Sequence, residues 1–183
     1  NNSSVSFQLS EKMSAGVIKY TAVSGVEQPG IEHTHTLTTG EKGNDWEVQT
    51  VEVNSPALVN GTVYNLSLDG TDLAGNIAIT VTKTGISYDT TTPGFGSVTP
   101  AAGAIVKVST RIVAWTNSES MGVLEVKYTG VGGSDSGNAH SANVTGKTGS
   151  GAQSADVAGL VDGNAYDLSV NGSDLAGNAG TTV

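Results

Sequence analysis

Asp72-Leu73-Ala74-Gly75-Asn76 sets a carboxylate and a carboxamide four residues apart across a glycine, and Asp174-Leu175-Ala176-Gly177-Asn178 repeats it letter for letter. Such a pentad has two chemical uses. It can close a turn, the Asp accepting backbone amides while Gly or Asn takes a positive φ, or it can present oxygen ligands to a hard cation such as Ca²⁺. His33-Thr34-His35 puts two imidazoles on one side of an extended segment, a spacing that suits Zn²⁺ or Cu²⁺. His140 aligns with His33, but Ala142 stands where the second imidazole would be, so the repeated histidine reads as structural.

Other chemistries find little support. Gly130 to Gly137 is glycine-rich, yet no Lys-Ser/Thr follows it and no helix supplies a dipole, so it reads as a solvated hairpin loop rather than a phosphate loop. No Ser-His-Asp order and no paired-carboxylate cleft recurs, and the chain reads as non-catalytic. With 17 acidic and 8 basic side chains the net charge is −9, which argues against nucleic acid and anionic membrane as partners. The absence of cysteine removes disulfides, thiolate metal sites and a cysteine nucleophile. No apolar run approaches the roughly 20 residues of a membrane span. Asn1-Asn2-Ser3-Ser4 lacks the basic and apolar regions of a signal peptide, so the chain reads as an internal piece of something longer.

The elements that carry these residues are duplicated. Leu58 to Asn76 matches Leu160 to Asn178 without a gap at an interval of 102 residues (Asp72 to Asp174). That period is too long for a solenoid and fits tandem small domains. Upstream, Ser10-Glu11-Lys12-Met13 matches Ser118-Glu119-Ser120-Met121 and Lys19-Tyr20-Thr21 matches Lys127-Tyr128-Thr129, now at 108 (Ser10 to Ser118), so the second copy is shorter between these blocks.

Within each copy, period-two alternation marks strands. In the first copy the inward sets are Val5, Phe7 and Leu9, then Ile18, Tyr20 and Ala22, then Tyr64, Leu66 and Leu68. Ile31 to Leu37 alternates in the same way, and Ile77, Ile79 and Val81 carry the last strand. Trp46 and Val48 change phase against Val51 and Val53, which predicts a bulged strand. Six or seven short strands joined by polar turns predict a β-sandwich. Tyr88 to Pro93 reads as an extended linker, which sets the domains at 1–88 and 89–183. Pro100 to Val108 supplies the second copy with a first strand that the first copy lacks, since Asn1 aligns with Ser109.

Leu58, Gly61 and Tyr64, and again Leu160, Gly163 and Tyr166, resemble the tyrosine corner of fibronectin type III and immunoglobulin-like sandwiches, in which the Tyr hydroxyl bonds to backbone upstream. Together with the Asp-Leu-Ala-Gly-Asn pentads, the Ser-Glu-x-Met segments and Asp89-Thr-Thr-Thr-Pro93, the order of motifs is similar to the immunoglobulin-like repeats of large bacterial surface adhesins and secreted proteins.

The resemblance implies two tandem immunoglobulin-like β-sandwiches, extracellular or at the cell surface. It implies a non-catalytic spacer or adhesion role, with neighbouring repeats and a host or matrix protein or glycan as partners. The polarity of such a sandwich would gather Glu119, Asp174 and Asn178 beside Asp89 of the linker as an interdomain calcium site. Glu11, Asp72 and Asn76 would form the matching set in the first domain. The alternative is an accessory module, spacer or glycan-binding, of a secreted polysaccharide-degrading enzyme. A glycan binder needs exposed aromatics, and Trp46 and Trp115 both read as core, Trp115 because it aligns with inward Phe7.

Overall fold

The computed structural model describes residues 4–43, 46–52, 57–105 and 110–183, with Glu52 described by its backbone. The chain divides into two compact units, Asn1–Thr90 and Thr91–Val183. Both are all-β, made of antiparallel sheets in a β-sandwich-like arrangement.

In the first unit, β1 (Ser4–Gln8) pairs with β4 (Val48–Glu52), and a four-stranded sheet runs β3 (Glu32–Thr36), β2 (Met13–Gly25), β5 (Thr62–Asp72), β6 (Val81–Tyr88). The alternation of apolar residues explains how the two sheets share one core. Ile18, Tyr20 and Ala22 leave the same face of β2 and are buried with Leu9, Leu37, Val51 and Tyr64, while Val5 and Phe7 pack in from β1.

In the second unit, β7 (Phe95–Thr99), β8 (Arg111–Asn117) and β11 (Gly151–Val157) form one sheet. β10 (Ala139–Ser141), β9 (Met121–Gly130) and β12 (Tyr166–Asp174) form the other. Val113, Trp115, Val126, Val157 and Val170 are fully buried in its hydrophobic core.

Four expectations are corrected. Ile77 and Ile79 are 85% and 93% exposed and Val81 is 54% exposed. Their segment makes a single bridge, Thr71 to Ile77, and the last strand of the first unit begins only at Val81, with Ile86 and Tyr88 packed on the core. Trp46 is 67% exposed, whereas Trp115 is buried. Trp46 has φ 60 in the loop ahead of β4, so its side chain does not follow the alternation of the strand behind it. No bulge interrupts β4: β1 and β4 pair in unbroken register from Ser4 with Glu52 to Gln8 with Val48, and Val53 lies outside the described residues. The first strand of the second unit is Phe95–Thr99 rather than the segment from Pro100 to Val108, of which 106–108 lie outside the described residues.

Candidate functional site

β5 and β12 end in the two pentads. Asp72 closes β5 and Asp174 closes β12, and the chain then reverses around Gly75 (φ 92) and Gly177 (φ 89), a conformation that glycine adopts without a Cβ clash. Asp72 Oδ1 accepts the Asn76 amide at 2.8 Å and Asp72 Oδ2 accepts Asn76 Nδ2 at 2.6 Å. Asp174 does the same with Asn178 at 2.8 and 2.7 Å.

The turn reading of the pentad is therefore realised twice, and it fixes two nearly buried carboxylates, 9% and 3% exposed. Hydrogen bonds from the Asn76 side chain and amide hold the Asp72 carboxyl below its ordinary pKa. Burial pushes the Asp174 carboxyl up, but donation from the Asn178 side chain and from the amides of Asn178, Ala176 and Gly177 outweighs it and leaves the pKa lowered. Both acids are charged at neutral pH.

Around Asp174 the acids accumulate. One carboxylate oxygen from each of Asp89, Glu119 and Asp174 lies within 4.8 Å of the other two. Negative charges this close repel one another, a cost that hydrogen-bond donors or a bound cation can offset. The oxygen donors of such a set are those that Ca²⁺ takes, at about 2.3–2.6 Å each. Asn178 gives its amide nitrogen to Asp174. Glu11, Asp72 and Asn76 line one open hollow of about 350 Å³ in the first unit, together with Leu9, Met13 and Ala78.

His33 and His35 do not converge on a common ligand. His33 Nε2 lies 2.8 Å from Glu27 Oε2, and His35 Nε2 lies 3.1 Å from Glu41 Oε2. Each imidazole has its own carboxylate.

Of these, Glu27 belongs to a cluster that hydropathy patterning does not mark. In the first unit Glu27 Oε2 accepts both His33 Nε2 and the Tyr64 hydroxyl, each at 2.8 Å, and the Tyr64 oxygen accepts the Val59 amide at 2.9 Å. In the second, Asp135 Oδ2 accepts His140 Nε2 at 2.7 Å and the Tyr166 hydroxyl at 2.5 Å, and the Tyr166 oxygen accepts the Val161 amide at 2.8 Å. The imidazole meets the phenol ring edge to face in both copies, with centroids 5.6 and 5.8 Å apart.

Asp135 belongs to a 3₁₀ turn, Gly133–Asp135, inside the glycine-rich segment. It is 6% exposed, so that segment is not a purely solvated loop. Donation by Tyr166, then by Asn138 and His140, holds the Asp135 carboxyl at a pKa of about 2. Its acceptor positions are taken by protein donors, which makes the cluster a fastener between loop and sheet. The signal for it was present: Glu27 and Asp135 stand at the same 108 interval (Glu27 to Asp135) as the blocks around them.

No protein-family model matches the chain, and no match was found for it among curated proteins.

Proposed function

We propose that the chain is a pair of immunoglobulin-like repeats from an extracellular array, acting as a non-catalytic spacer or adhesion segment that calcium stiffens. The observation that carries this reading is the convergence of Asp89, Glu119 and Asp174 within 4.8 Å. Asp89 lies just ahead of the start of the second unit at Thr91, Glu119 lies between β8 and β9, and Asp174 closes β12. Calcium on this set ties the entering segment down, and repetition of the unit supplies reach. The charge of −9 and the absence of cysteine accord with a soluble module that relies on cations rather than disulfides. Small-angle scattering in calcium and in chelator tests the mechanical part. The expected outcome is a narrower distribution of dimensions with calcium, and identical curves would remove stiffening from the account.

One observation favours the second reading, a glycan-binding accessory module. Trp46 is 67% exposed, and an exposed indole is the kind of surface on which a sugar ring stacks. Glycan-array binding that Trp46→Ala abolishes would place this reading first.

A further inference from the structure

The residues around Trp46 carry more than an exposed ring. Trp46 has φ 60, a conformation that bulky residues rarely hold and that concentrates where strain serves a function. Its neighbours fix it there: the Trp46 amide donates to the Leu9 oxygen at 2.7 Å, and Gln8 Nε2 donates to the Trp46 oxygen at 3.2 Å. The indole gains no burial from this arrangement, since it remains 67% exposed. A strained backbone that holds a large apolar ring in water needs a reason other than packing of the core.

The turn that carries Trp46 stands at the end of a polar sheet face. β1 and β4 pair so that Ser6 lies opposite Thr50 and Gln8 opposite Val48. All four side chains are exposed and uncharged, while Val5, Phe7 and Val51 turn to the core. Ser6 Oγ and Thr50 Oγ1 lie 2.9 Å apart. One hydroxyl donates that bond, so the pair keeps the other hydroxyl's hydrogen and spare lone pairs for a ligand. The matching face of the second unit is exposed at Ile112, Ala152 and Asp156 although β7 flanks β8 there, so exposure belongs to the face itself and not to what lies beside β1. The outward positions of that second face include an acid and no aromatic residue.

We propose that the outer face of the β1–β4 pair binds a neutral oligosaccharide, with the Trp46 indole under one sugar ring and the Ser6 and Thr50 hydroxyls bonded to the hydroxyls of another. This rests on the glycan-binding reading and names the face and the class of sugar that the reading leaves open. An indole stacked on the C–H face of a pyranose ring removes apolar surface of both partners from water. A hydroxyl pair that offers a donor and acceptors side by side meets the vicinal hydroxyls of a sugar, which offer the same. Ser6 and Thr50 lie two residues, about 7 Å, along the ribbon from Gln8 and Val48, so a ligand that reaches from the indole to the hydroxyl pair is longer than one ring. The uncharged face, in a chain of net charge −9, disfavours an anionic polysaccharide.

The test titrates the whole chain by isothermal calorimetry, in chelator so that calcium has no part in the outcome. The probes are maltohexaose, cellohexaose, mannohexaose and xylohexaose, with hexagalacturonate as the anionic counterpart. Saturable binding of at least one neutral hexasaccharide is expected, and none of hexagalacturonate. Trp46→Ala should abolish it, and Ser6→Ala combined with Thr50→Val should weaken it about fivefold or more, as the loss of one net hydrogen bond implies. Trp46→Gly should lose binding yet be at least as stable as the parent in urea, because glycine takes φ 60 without strain. If no neutral hexasaccharide binds, the glycan-binding reading and the proposed face fall together. Binding that needs Trp46 and ignores the hydroxyl pair leaves that reading standing and overturns the face, and equal binding of hexagalacturonate overturns the choice of a neutral sugar. A destabilised Trp46→Gly would show that the indole serves the fold, and the proposal fails.

Discussion

Tyr166 donates its hydroxyl to Asp135 at 2.5 Å while its oxygen accepts the Val161 amide, so one hydroxyl joins a loop carboxylate to the backbone ahead of β12. Tyr64 makes the same connection to Glu27 in the first unit. The carboxylate differs in length between the copies, but donor, acceptor and neighbouring histidine keep their places. That agreement is a demanding one, because a buried hydroxyl with two partners costs little to bury and one with none costs a great deal.

Tyr64→Phe keeps the ring and removes the oxygen, leaving the Val59 amide and Glu27 without it. A loss of about 1–3 kcal/mol is expected, the cost of stranding buried polar partners. Urea denaturation checks the size, and hydrogen exchange should show the Val59 amide opening early. An unchanged midpoint would mean that water replaces the hydroxyl.

The Asp135 carboxyl has a pKa of about 2 in the folded chain, below the ordinary value of 3.8. A depressed folded pKa contributes stability that is complete above the unfolded value and is lost as pH falls through the folded one. The contribution should therefore disappear between about pH 4 and pH 2. Asp135→Asn should be less stable than the parent at neutral pH, and the gap should close across that window. Urea midpoints measured at a series of pH values decide it; a constant gap would show that the charge is not what matters.

Trp115 is 1% exposed and Trp46 is 67% exposed, so the two indoles should report separately. Trp46→Phe should leave blue-shifted, quencher-resistant emission. Trp115→Ala opens the core of the second unit and should cost about 3–5 kcal/mol. Its indole nitrogen also donates to Asn117, which in turn holds the Lys147 and Gly149 oxygens, so that loop should lose amide protection along with it.

The strands were legible where burial and alternation coincide, as at Ile18, Tyr20 and Ala22 on one face of β2. Alternation misled at Ile77 and Ile79, where the segment leaves the pentad turn and bridges the sheet once without joining it. It misled at Trp46 because that residue sits in a left-handed turn outside the strand period. The pentad acids were visible from types and repetition. Glu27 and Asp135 were marked only by their shared 108-residue interval, because hydropathy reads an acid in a loop as solvated and the contact with Tyr64 or Tyr166 is what shows it otherwise. His35 was read with His33 because spacing alone cannot show that each imidazole faces a different carboxylate.

Asp89, Glu119 and Asp174 are proposed to hold calcium. Isothermal titration of the calcium-free chain with calcium chloride, paired with thermal melts in calcium and in chelator, addresses it directly. One saturable site is expected in the range of extracellular modules, roughly 10⁻⁴–10⁻³ M. At tenfold excess over the dissociation constant the folded state should gain about 1.4 kcal/mol, seen as a raised melting temperature that Glu119→Gln abolishes. No heat on titration, together with a melting temperature indifferent to chelation, would contradict the claim.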